Sequence, residues 1–499
     1  AVRRFHADRR IRSVAMLLHE RIPSLLPRLP ARKRIARGSA FGEDGAPVSW
    51  SAPPEPGSPC ANLLSNGRLH VFASMPGGGA MYWQGASILQ GPSFDGLRSG
   101  GPSTWLRDCD TGELTRLDQF SGKEPSACQA EFGPHALSIH TRASGLACRL
   151  SMAVASQHDL VVRRFTLTNE TDRIRRLLLT DLAEPMLASA ADWDRHPAFA
   201  RLFLVCEAVP EEHALLFRRR RRSPAERGMC VGFAVVPPAG VDFRVGWQSE
   251  RERAIGRGRG RAAPAILERG FIGFTDSPAT VPLDPVACLG LEIVAPPLAQ
   301  VDFALICAVA ESREQVLAVL SEQRSMSSVV WTFEQAWLHA AQEMHDLGIE
   351  PAMAEGIMQL LGAIAMPRRR WRRAPPDSVA STDAIQPVLW ARAVSGDSPI
   401  VVVRVGSARD VGDVEALLQA HTFLVGRGLR CDLILLDADS QGYLQPSRDR
   451  LTETVNAVRA RSNRSLAGAV HVVVEHELQS RERELLLGSA RVVLDTSAG

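Results

Sequence analysis

The stretch Leu160-Val161-Val162-Arg163-Arg164-Phe165-Thr166-Leu167-Thr168 decides the fold class. β-Branched and aromatic residues fill it, and apolar and polar residues alternate over its second half, as in a half-buried strand. Similar runs, separated by Gly, Pro, Asn and Asp, recur on both sides. They cover 68–74, 103–107, 136–142, 147–155, 176–181, 201–207, 231–236, 289–294 and 301–310. Spaced strands with turns between them predict a large antiparallel sandwich over residues 61–310.

The apolar period changes from that of strands to that of helices at Glu311. Apolar residues have helical spacing over 314–321 and 329–347, and Gly348 follows as the residue that ends the second of these helices. A third helix is predicted over 351–365. These helices have no strand pattern between them, so they predict a helical linker after the sandwich.

Strands and helices alternate in the last part of the chain. The predicted strands are 399–405, 432–436 and 469–475, and the predicted helices are 411–427, 446–461 and 480–492. Three βα units in succession predict a small three-layer α/β domain around a parallel sheet with right-handed crossovers. The chain is therefore predicted to be multidomain and mainly β. Its predicted parts are a helical and Pro-rich connector at 1–60, the β-sandwich at 61–310, the helical linker at 311–385 and the α/β domain at 386–499.

The composition is that of a soluble globular protein. The 499 residues are 45% hydrophobic and 23% charged, which excludes collagen, coiled coil and general disorder. Of the 58 basic residues only Lys33 and Lys123 are lysine, a bias that indicates a GC-rich genome. The net charge of +3 leaves no large positive field, so no nucleic-acid partner is predicted.

The chain has no sequence feature of a membrane span or of a secreted protein. No apolar run reaches the roughly 18 to 20 residues that a span needs. The N-terminus has neither an initiator Met nor a signal peptide, as expected of a piece cut from a longer chain. Nine cysteines lie at wide spacings without a CxxC or a Cys/His cluster. Reduced thiols and a cytoplasmic location are predicted, with no metal site and no cofactor.

Four local motifs have both a functional and a structural interpretation. Asp437-Ala438-Asp439 is typical of a metal-binding DxD pair, but polar residues commonly follow a strand in any α/β fold. The segment 108–113 lacks the glutamate that closes a calcium loop, so a hairpin turn is predicted. A loop is predicted at 256–261, and a solvated basic loop at 368–373. No nucleophile, acid–base pair or metal cluster stands out, and no catalytic residue is predicted.

A succession of short motifs runs from one end of the chain to the other. Among them are Leu64-Ser65-Asn66-Gly67-Arg68, Leu106-Arg107-Asp108, Ala183-Glu184-Pro185, His196-Pro197-Ala198-Phe199 and Ser395-Gly396-Asp397-Ser398-Pro399. In this order they resemble the cyclic β-1,2-glucan synthases. Those are long inner-membrane proteins with a UDP-glucose-dependent transferase and a part similar to family 94 glycoside phosphorylases. The resemblance implies an internal fragment with a large antiparallel β super-sandwich of carbohydrate-binding type, a helical linker and a small α/β domain. No catalytic residue of either enzyme has a matching position here.

The resemblance and the aromatic residues together predict a non-catalytic part that binds or scaffolds β-glucan. It would position a β-glucan oligosaccharide or polysaccharide for catalytic domains of the same parent chain, as the cytoplasmic part of an inner-membrane protein. Aromatic rings stack on sugars, and a few polar groups anchor them. The predicted contacts are Tyr82, Trp83, Trp105, Arg107 and Asp108. Trp193 and Trp390 are further aromatic candidates, and packing is the alternative for each aromatic residue.

Two other functions are left open. The chain could be the N-terminal part of a soluble glycoside phosphorylase that acts on β-glucosides, in which the sandwich helps to shape a barrel active site. It could also bind nucleic acid through the basic loop at 368–373, with a steep dependence on salt. Whether the chain itself is an enzyme is not decided by its residues.

Overall fold

The computed structural model describes residues 50–51, 61–74, 79–89, 101–117, 128–189, 192, 195–261, 263–269, 271, 281–365, 382–406, 411–438, 446–461 and 470–496. The strands of the first part are β1 (Trp50–Ser51), β2 (Ala61–Ser65), β3 (Leu69–Ser74), β4 (Gly79–Trp83), β5 (Ala86–Leu89), β6 (Ser103–Asp108), β7 (Leu114–Arg116), β8 (Cys128–Phe132), β9 (Ala136–Ala143), β10 (Leu146–Val154), β11 (Leu160–Asn169), β12 (Arg175–Ala183), β13 (Pro185–Ala188), β14 (Leu204–Val209), β15 (Ala214–Arg219), β16 (Cys230–Val236), β17 (Phe243–Glu250), β18 (Pro285–Ala295) and β19 (Gln300–Ala310). The short helices among them are α1 (Pro197–Arg201), α2 (Arg251–Ala254) and α3 (Ile266–Arg269).

The second part of the chain begins with helices and ends as an α/β unit. Its helices are α4 (Arg313–Glu322), α5 (Met326–Leu347), α6 (Met353–Ala365), α7 (Thr382–Trp390), α8 (Val411–Gly426), α9 (Pro446–Arg461) and α10 (Ser480–Ser489). Its strands are β20 (Ile400–Val405), β21 (Asp432–Asp437), β22 (Val470–Val474) and β23 (Val492–Asp495). Among the described helices none is long and apolar enough to span a membrane.

Three antiparallel sheets pack around one core. The nine-stranded sheet has the order β1-β8-β9-β10-β11-β19-β16-β15-β14. Two five-stranded sheets have the orders β17-β18-β12-β6-β7 and β13-β5-β4-β3-β2. Buried apolar residues from all three sheets form a single cluster, which places both small sheets against one face of the large one. The predicted antiparallel β super-sandwich is confirmed.

Strand β11 lies in the middle of the nine-stranded sheet and shows why this sequence forms a sandwich. Val161 and Phe165 are buried and face the core between the sheets. The Phe165 ring stacks on Phe303 of β19 with 5.1 Å between the ring centroids. Arg163 is on the same face and pairs with Asp181 of β12 from the opposite sheet. The alternation in the sequence is thus the alternation between the core and the outer face.

Helices α4 and α5 cover part of the outer face of the nine-stranded sheet. Ser312 and Gln315 form a capping box at the start of α4, which satisfies two backbone donors that a helix leaves free. Helix α5 ends at Gly348, whose φ of 71° is the left-handed conformation that favours glycine. Val162 of β11 and Val316 of α4 belong to the apolar cluster between this face and the helices. The predicted helical linker therefore packs on the sandwich.

The α/β part has one more strand than the sequence pattern predicts. The sheet order is β22-β21-β20-β23, and each pair of neighbours is parallel. The predicted helix 480–492 is wrong at its end, because α10 stops at Ser489 and Val492 begins β23. The apolar, partly β-branched residues of β23 pair with β20, and this pairing extends the parallel sheet.

Other sequence predictions have mixed outcomes. The turn at 108–113 is confirmed as the hairpin between β6 and β7, and 256–261 is a loop. The predicted strand 201–207 is wrong at its start, because Arg201 ends α1 and β14 begins at Leu204. The N-terminal helix, Trp193, Asp439 and the basic loop 368–373 lie outside the described residues. The proposed domain boundaries at 60, 310 and 385 stay a prediction.

One buried arginine joins the three parts of the molecule. Arg427, which directly follows α8, donates hydrogen bonds to the backbone carbonyls of Leu63 in β2 and Pro134 in the β8–β9 loop. Its guanidinium also pairs with the Glu343 carboxylate of α5 at 2.9 Å and lies 4.0 Å from the centroid of the Phe423 ring. An apolar cluster from β2, α5, α6 and α8 surrounds it. The α/β part is therefore anchored to the sandwich and to the linker helix.

His135 lies beside this junction and predicts acid sensitivity. Burial, and then the Arg427 guanidinium, lowers the pKa of His135 to about 4. Because the unfolded chain binds this proton more readily, the folded state loses stability as the pH falls from the ordinary histidine range towards 4. Once the pH is below 4, the loss attributable to His135 should be about 3 kcal/mol. Urea unfolding at pH 7 and pH 5 should show part of this loss in the wild type and a smaller loss in His135→Gln. An equal pH dependence in both proteins would refute this assignment.

Candidate functional site

Strand β6 holds three of the five predicted carbohydrate contacts, and its alternation separates them. Thr104, Leu106 and Asp108 are at most 3% exposed, and Leu106 belongs to the sandwich core. Trp105 and Arg107 project from the opposite side of the strand and are only half-buried. The structure therefore brings Trp105 and Arg107 together on the outer face of a five-stranded sheet.

Trp105 is held by the neighbouring strand. Arg116 of β7 lies directly opposite it in the sheet, and the Arg116 guanidinium carbon is 5.0 Å from the centroid of the Trp105 ring. This distance is that of a cation–π contact, which fixes the orientation of the indole. Within the described part of the chain the buried Nε1 donor of Trp105 has no hydrogen-bond partner. The ring is therefore oriented and keeps one donor without an acceptor.

A group of charged side chains, called here the Glu184 cluster, lies at the β12–β13 junction. It consists of Glu184, Asp284, Arg201, Arg251 and Arg261. The Glu184 side chain is 8% exposed, and guanidinium nitrogens of Arg201, Arg251 and Arg261 lie 3.5, 3.7 and 3.7 Å from its carboxylate oxygens. Asp284 hydrogen-bonds Arg201 and lies 3.9 Å from Nε of Arg251. Arginines from three separate chain segments thus converge on two carboxylates.

Ser103 connects this cluster to the tryptophan. Its hydroxyl accepts hydrogen bonds of 3.3 Å from Nη2 of Arg116 and from Nη2 of Arg261. Trp105, Arg116, Ser103 and the Glu184 cluster therefore form one continuous region, which we call the Trp105 surface. It holds four arginines and two carboxylates, so it carries a positive charge next to an aromatic ring.

Arg107 and Asp108 have other partners. Arg107 donates a hydrogen bond of 3.0 Å to the carbonyl of Leu267 in α3. Asp108 is buried and accepts from Nε of Arg175 at 2.7 Å and from the backbone amide of Thr111 at 3.0 Å. Burial opposes ionisation of Asp108, but these hydrogen bonds outweigh it, so the pKa of Asp108 lies below its usual value. Asp108 is thus engaged in holding the β6–β7 turn.

The two aromatic contacts predicted on β4 lie away from the Trp105 surface. Trp83 is 3% exposed, belongs to the core and donates from Nε1 to the carboxylate of Asp159 at 2.7 Å. Asp159 also binds Arg68, so Trp83 helps to fix the β10–β11 turn. Tyr82 projects from the outer side of the other five-stranded sheet, opposite His70 of β3. Contact of any of the five residues with a glucan stays a prediction.

The sequence reasoning missed most of the Trp105 surface. Glu184 appears in the sequence analysis only within the motif Ala183-Glu184-Pro185, and its arginine partners cannot be singled out among the 56 arginines of the chain, which has 58 basic residues and two lysines. Ala183-Glu184-Pro185 and 256–261 are named as motifs in the sequence analysis. Their presence among the motifs is the one indication that the sequence gives of this site. Across the described residues no group of three or more His, Cys, Asp or Glu side chains could hold a metal ion. Asp437 ends β21 and is 1% exposed.

Comparison with known proteins decides the family. The family model described as "Glycosyl hydrolase 94, supersandwich domain" matches residues 47–326, which is more than half of the chain. The chain belongs to this family. The match covers all of the β-sandwich as the structure describes it, together with α4 and the first residue of α5.

The glycosyl hydrolase 94 supersandwich chain also has a relative among the curated proteins. It is 26% identical over 468 residues to the cyclic beta-(1,2)-glucan synthase NdvB of Rhizobium meliloti (strain 1021), which covers 92% of this chain and 16% of that protein. The resemblance to cyclic β-1,2-glucan synthases is thereby confirmed. The chain therefore spans about a sixth of the length of this relative.

Solved structures show more distant similarity. A bacterial glucoamylase complexed with acarbose matches with a TM-score of 0.35 and 7% identity, covering 64% of this chain and 42% of that one. A putative kojibiose phosphorylase from human microbiome has a TM-score of 0.35 and 6% identity, covering 62% of this chain and 39% of that one.

Proposed function

We propose that this chain is a non-catalytic part of a cyclic β-1,2-glucan synthase-like protein and that its Trp105 surface binds β-glucan. The catalytic domains that use the glucan would lie elsewhere in the same parent chain. The proposal places the chain on the cytoplasmic side of an inner-membrane parent, as the resemblance implies. The observation that carries it is the convergence of Trp105, Arg116 and the Glu184 cluster on one face.

The chemistry of this surface suits a sugar. A half-buried indole offers an apolar ring face to the C–H groups of a pyranose. The guanidinium groups donate and the two carboxylates accept, so together they match the hydroxyl groups around a sugar ring. The arginines are already held by carboxylates and by the Ser103 hydroxyl, so they would lose little side-chain freedom when a sugar binds.

The family supports the substrate class. The family name refers to glycosyl hydrolases, and the curated relative is named as a synthase of cyclic beta-(1,2)-glucan. The carboxylates of the described residues also favour a scaffolding role over a catalytic one. Glu184, Asp181 and Asp108 each pair with arginine side chains, so each already has a structural partner within the sandwich.

Replacing Trp105 by alanine should weaken glucan binding. We expect an affinity for linear or cyclic β-1,2-glucan about tenfold lower, because the ring-stacking energy is lost. Trp105→Phe should retain most of the affinity, since it keeps the ring. Isothermal titration calorimetry with both glucans measures these affinities, and a thermal melt of each variant checks the fold.

Trp331→Ala is the matched control. Trp331 lies on α5 and is 60% exposed, so its removal deletes an indole outside the Trp105 surface. It should leave the affinity unchanged. If the wild type does not bind either glucan, the proposal that this chain binds β-glucan is refuted, and a role as a structural spacer is left. Equal losses in Trp105→Ala and Trp331→Ala would remove the assignment of the site.

A further inference from the structure

A cluster of exposed apolar side chains lies at helix α1. Phe199 is 52% exposed and Leu202 is 42% exposed. The Phe199 ring meets the Phe203 ring edge to face with 5.1 Å between the centroids. Phe199 lies on α1 and Leu202 directly follows the helix, so the two exposed apolar side chains are close in the chain, and contiguous exposed apolar surface often marks an interaction site.

Arginines surround these apolar residues. Strand β15 ends in a run of five consecutive arginines, 218–222. Arg220 donates a hydrogen bond of 2.8 Å to the carbonyl of Leu202. The guanidinium carbons of Arg219 and Arg222 lie 5.4 and 5.8 Å from the centroid of the Phe203 ring. The contacts therefore place the arginine run directly beside α1.

The positive charge of this run is only partly neutralised. Arg219 and Arg222 share the Glu226 carboxylate, and Arg222 also lies 3.7 Å from Asp192. Arg220 and Arg221 are exposed, and neither has an ion-pair partner within the described part of the chain. Phe199, Leu202, Arg220 and Arg221 are here called the α1 patch. It combines exposed apolar groups with exposed cations that lack counter-charges.

We propose that the α1 patch docks on an anionic lipid surface. Phe199 and Leu202 would enter the boundary between headgroups and acyl chains, and Arg220 and Arg221 would bind the lipid phosphates. Surface helices bind membranes through this combination of apolar burial and attraction to anionic lipid. A nucleic acid could also meet the arginines and stack a base on Phe199, but the exposed aliphatic side chain of Leu202 has no role there. The observations therefore favour lipid.

The experiment uses the full chain and flotation with vesicles. Vesicles of phosphatidylcholine mixed with phosphatidylglycerol should bind the chain, with an affinity that falls as salt is added, and vesicles of phosphatidylcholine alone should bind it far less. The double variant R220E/R221E should bind anionic vesicles at least about tenfold more weakly. The double variant F199S/L202S should also bind about tenfold more weakly, through loss of apolar burial.

A matched charge control is available on the α/β part. R450E/R481E changes the net charge as much as R220E/R221E does, at exposed positions of α9 and α10, and should leave vesicle binding unchanged. Circular dichroism and thermal melts check that all variants fold. Equal losses in the two charge variants, or full binding by F199S/L202S, would overturn the proposal. Binding to duplex DNA at the same salt, lost in R220E/R221E and accompanied by no vesicle binding, would assign the patch to nucleic acid instead.

Discussion

Replacing Arg427 by methionine should lower the free energy of unfolding by about 3 to 5 kcal/mol, because it removes the cationic partner of a buried ion pair. The side chain of Arg427 is 2% exposed, and that of Glu343 is 11% exposed. The substitution also leaves the carbonyls of Leu63 and Pro134 without their donor. Urea unfolding followed by circular dichroism measures the loss.

The same variant tests how the parts of the molecule depend on one another. Arg427 directly follows α8 but binds β2 and α5, so its loss weakens the junction before it weakens either core. We expect a broader transition with a smaller m-value, as the α/β part begins to unfold separately. Arg430→Met is the control, since Arg430 is exposed and three residues away. A loss in Arg427→Met no larger than that in Arg430→Met would contradict the anchoring role.

Replacing Asp181 by asparagine should destabilise the sandwich by a similar amount, about 3 to 5 kcal/mol, because it removes the negative charge that the buried Arg163 guanidinium binds. The two guanidinium–carboxylate hydrogen bonds are 2.8 and 2.5 Å long, and both side chains are at most 7% exposed. Thr104 donates to the same carboxylate at 2.7 Å. Asparagine has the same shape as aspartate, so the loss reports charge and hydrogen bonding and involves little change in volume.

A double variant tests how much the Arg163–Asp181 ion pair stabilises the fold beyond the cost of desolvating its two charges. Arg163→Met with Asp181→Leu removes both charges and should recover most of the stability that Asp181→Asn loses, because a buried pair gains little over apolar residues of similar size. Asp302→Asn is the control, since Asp302 of β19 lies on the outer side of the nine-stranded sheet, where its pair with Arg164 is partly exposed. A loss in Asp302→Asn as large as that in Asp181→Asn would show that burial does not set the cost.

The sequence predicted the strands and helices well, because their patterns are local. Alternation in 160–168 reports which side chains of one strand share a face, and no other part of the chain is needed to see it. The same holds for Gly348, whose position after an apolar period predicts the end of α5. Strand β23 was missed because its pattern is short and directly follows a helix. Local patterns also do not show which strands become neighbours.

The candidate site was predicted only in part, for a related reason. Trp105 and Arg107 share a face, as residues two apart in a strand do. Leu106 and Asp108 alternate with them and point inward. Consecutive residues of a strand therefore cannot all reach one ligand. Glu184 becomes part of a site only through its contacts with arginines on α1, on α2 and in the loop that follows α2.

The sequence by itself determined that this chain is a β super-sandwich followed by helices and a parallel α/β unit, and that it is related to cyclic β-1,2-glucan synthases. Side-chain periodicity and motif order carry that information, and both can be read along the chain. Only the tertiary structure decided which charges meet. The Glu184 cluster, the Arg163–Asp181 pair and the Arg427 junction each join residues that are distant in sequence, and sheet order brings them together. With arginine at so many positions, the partner of each one is set by packing, since composition alone gives every carboxylate many equivalent choices.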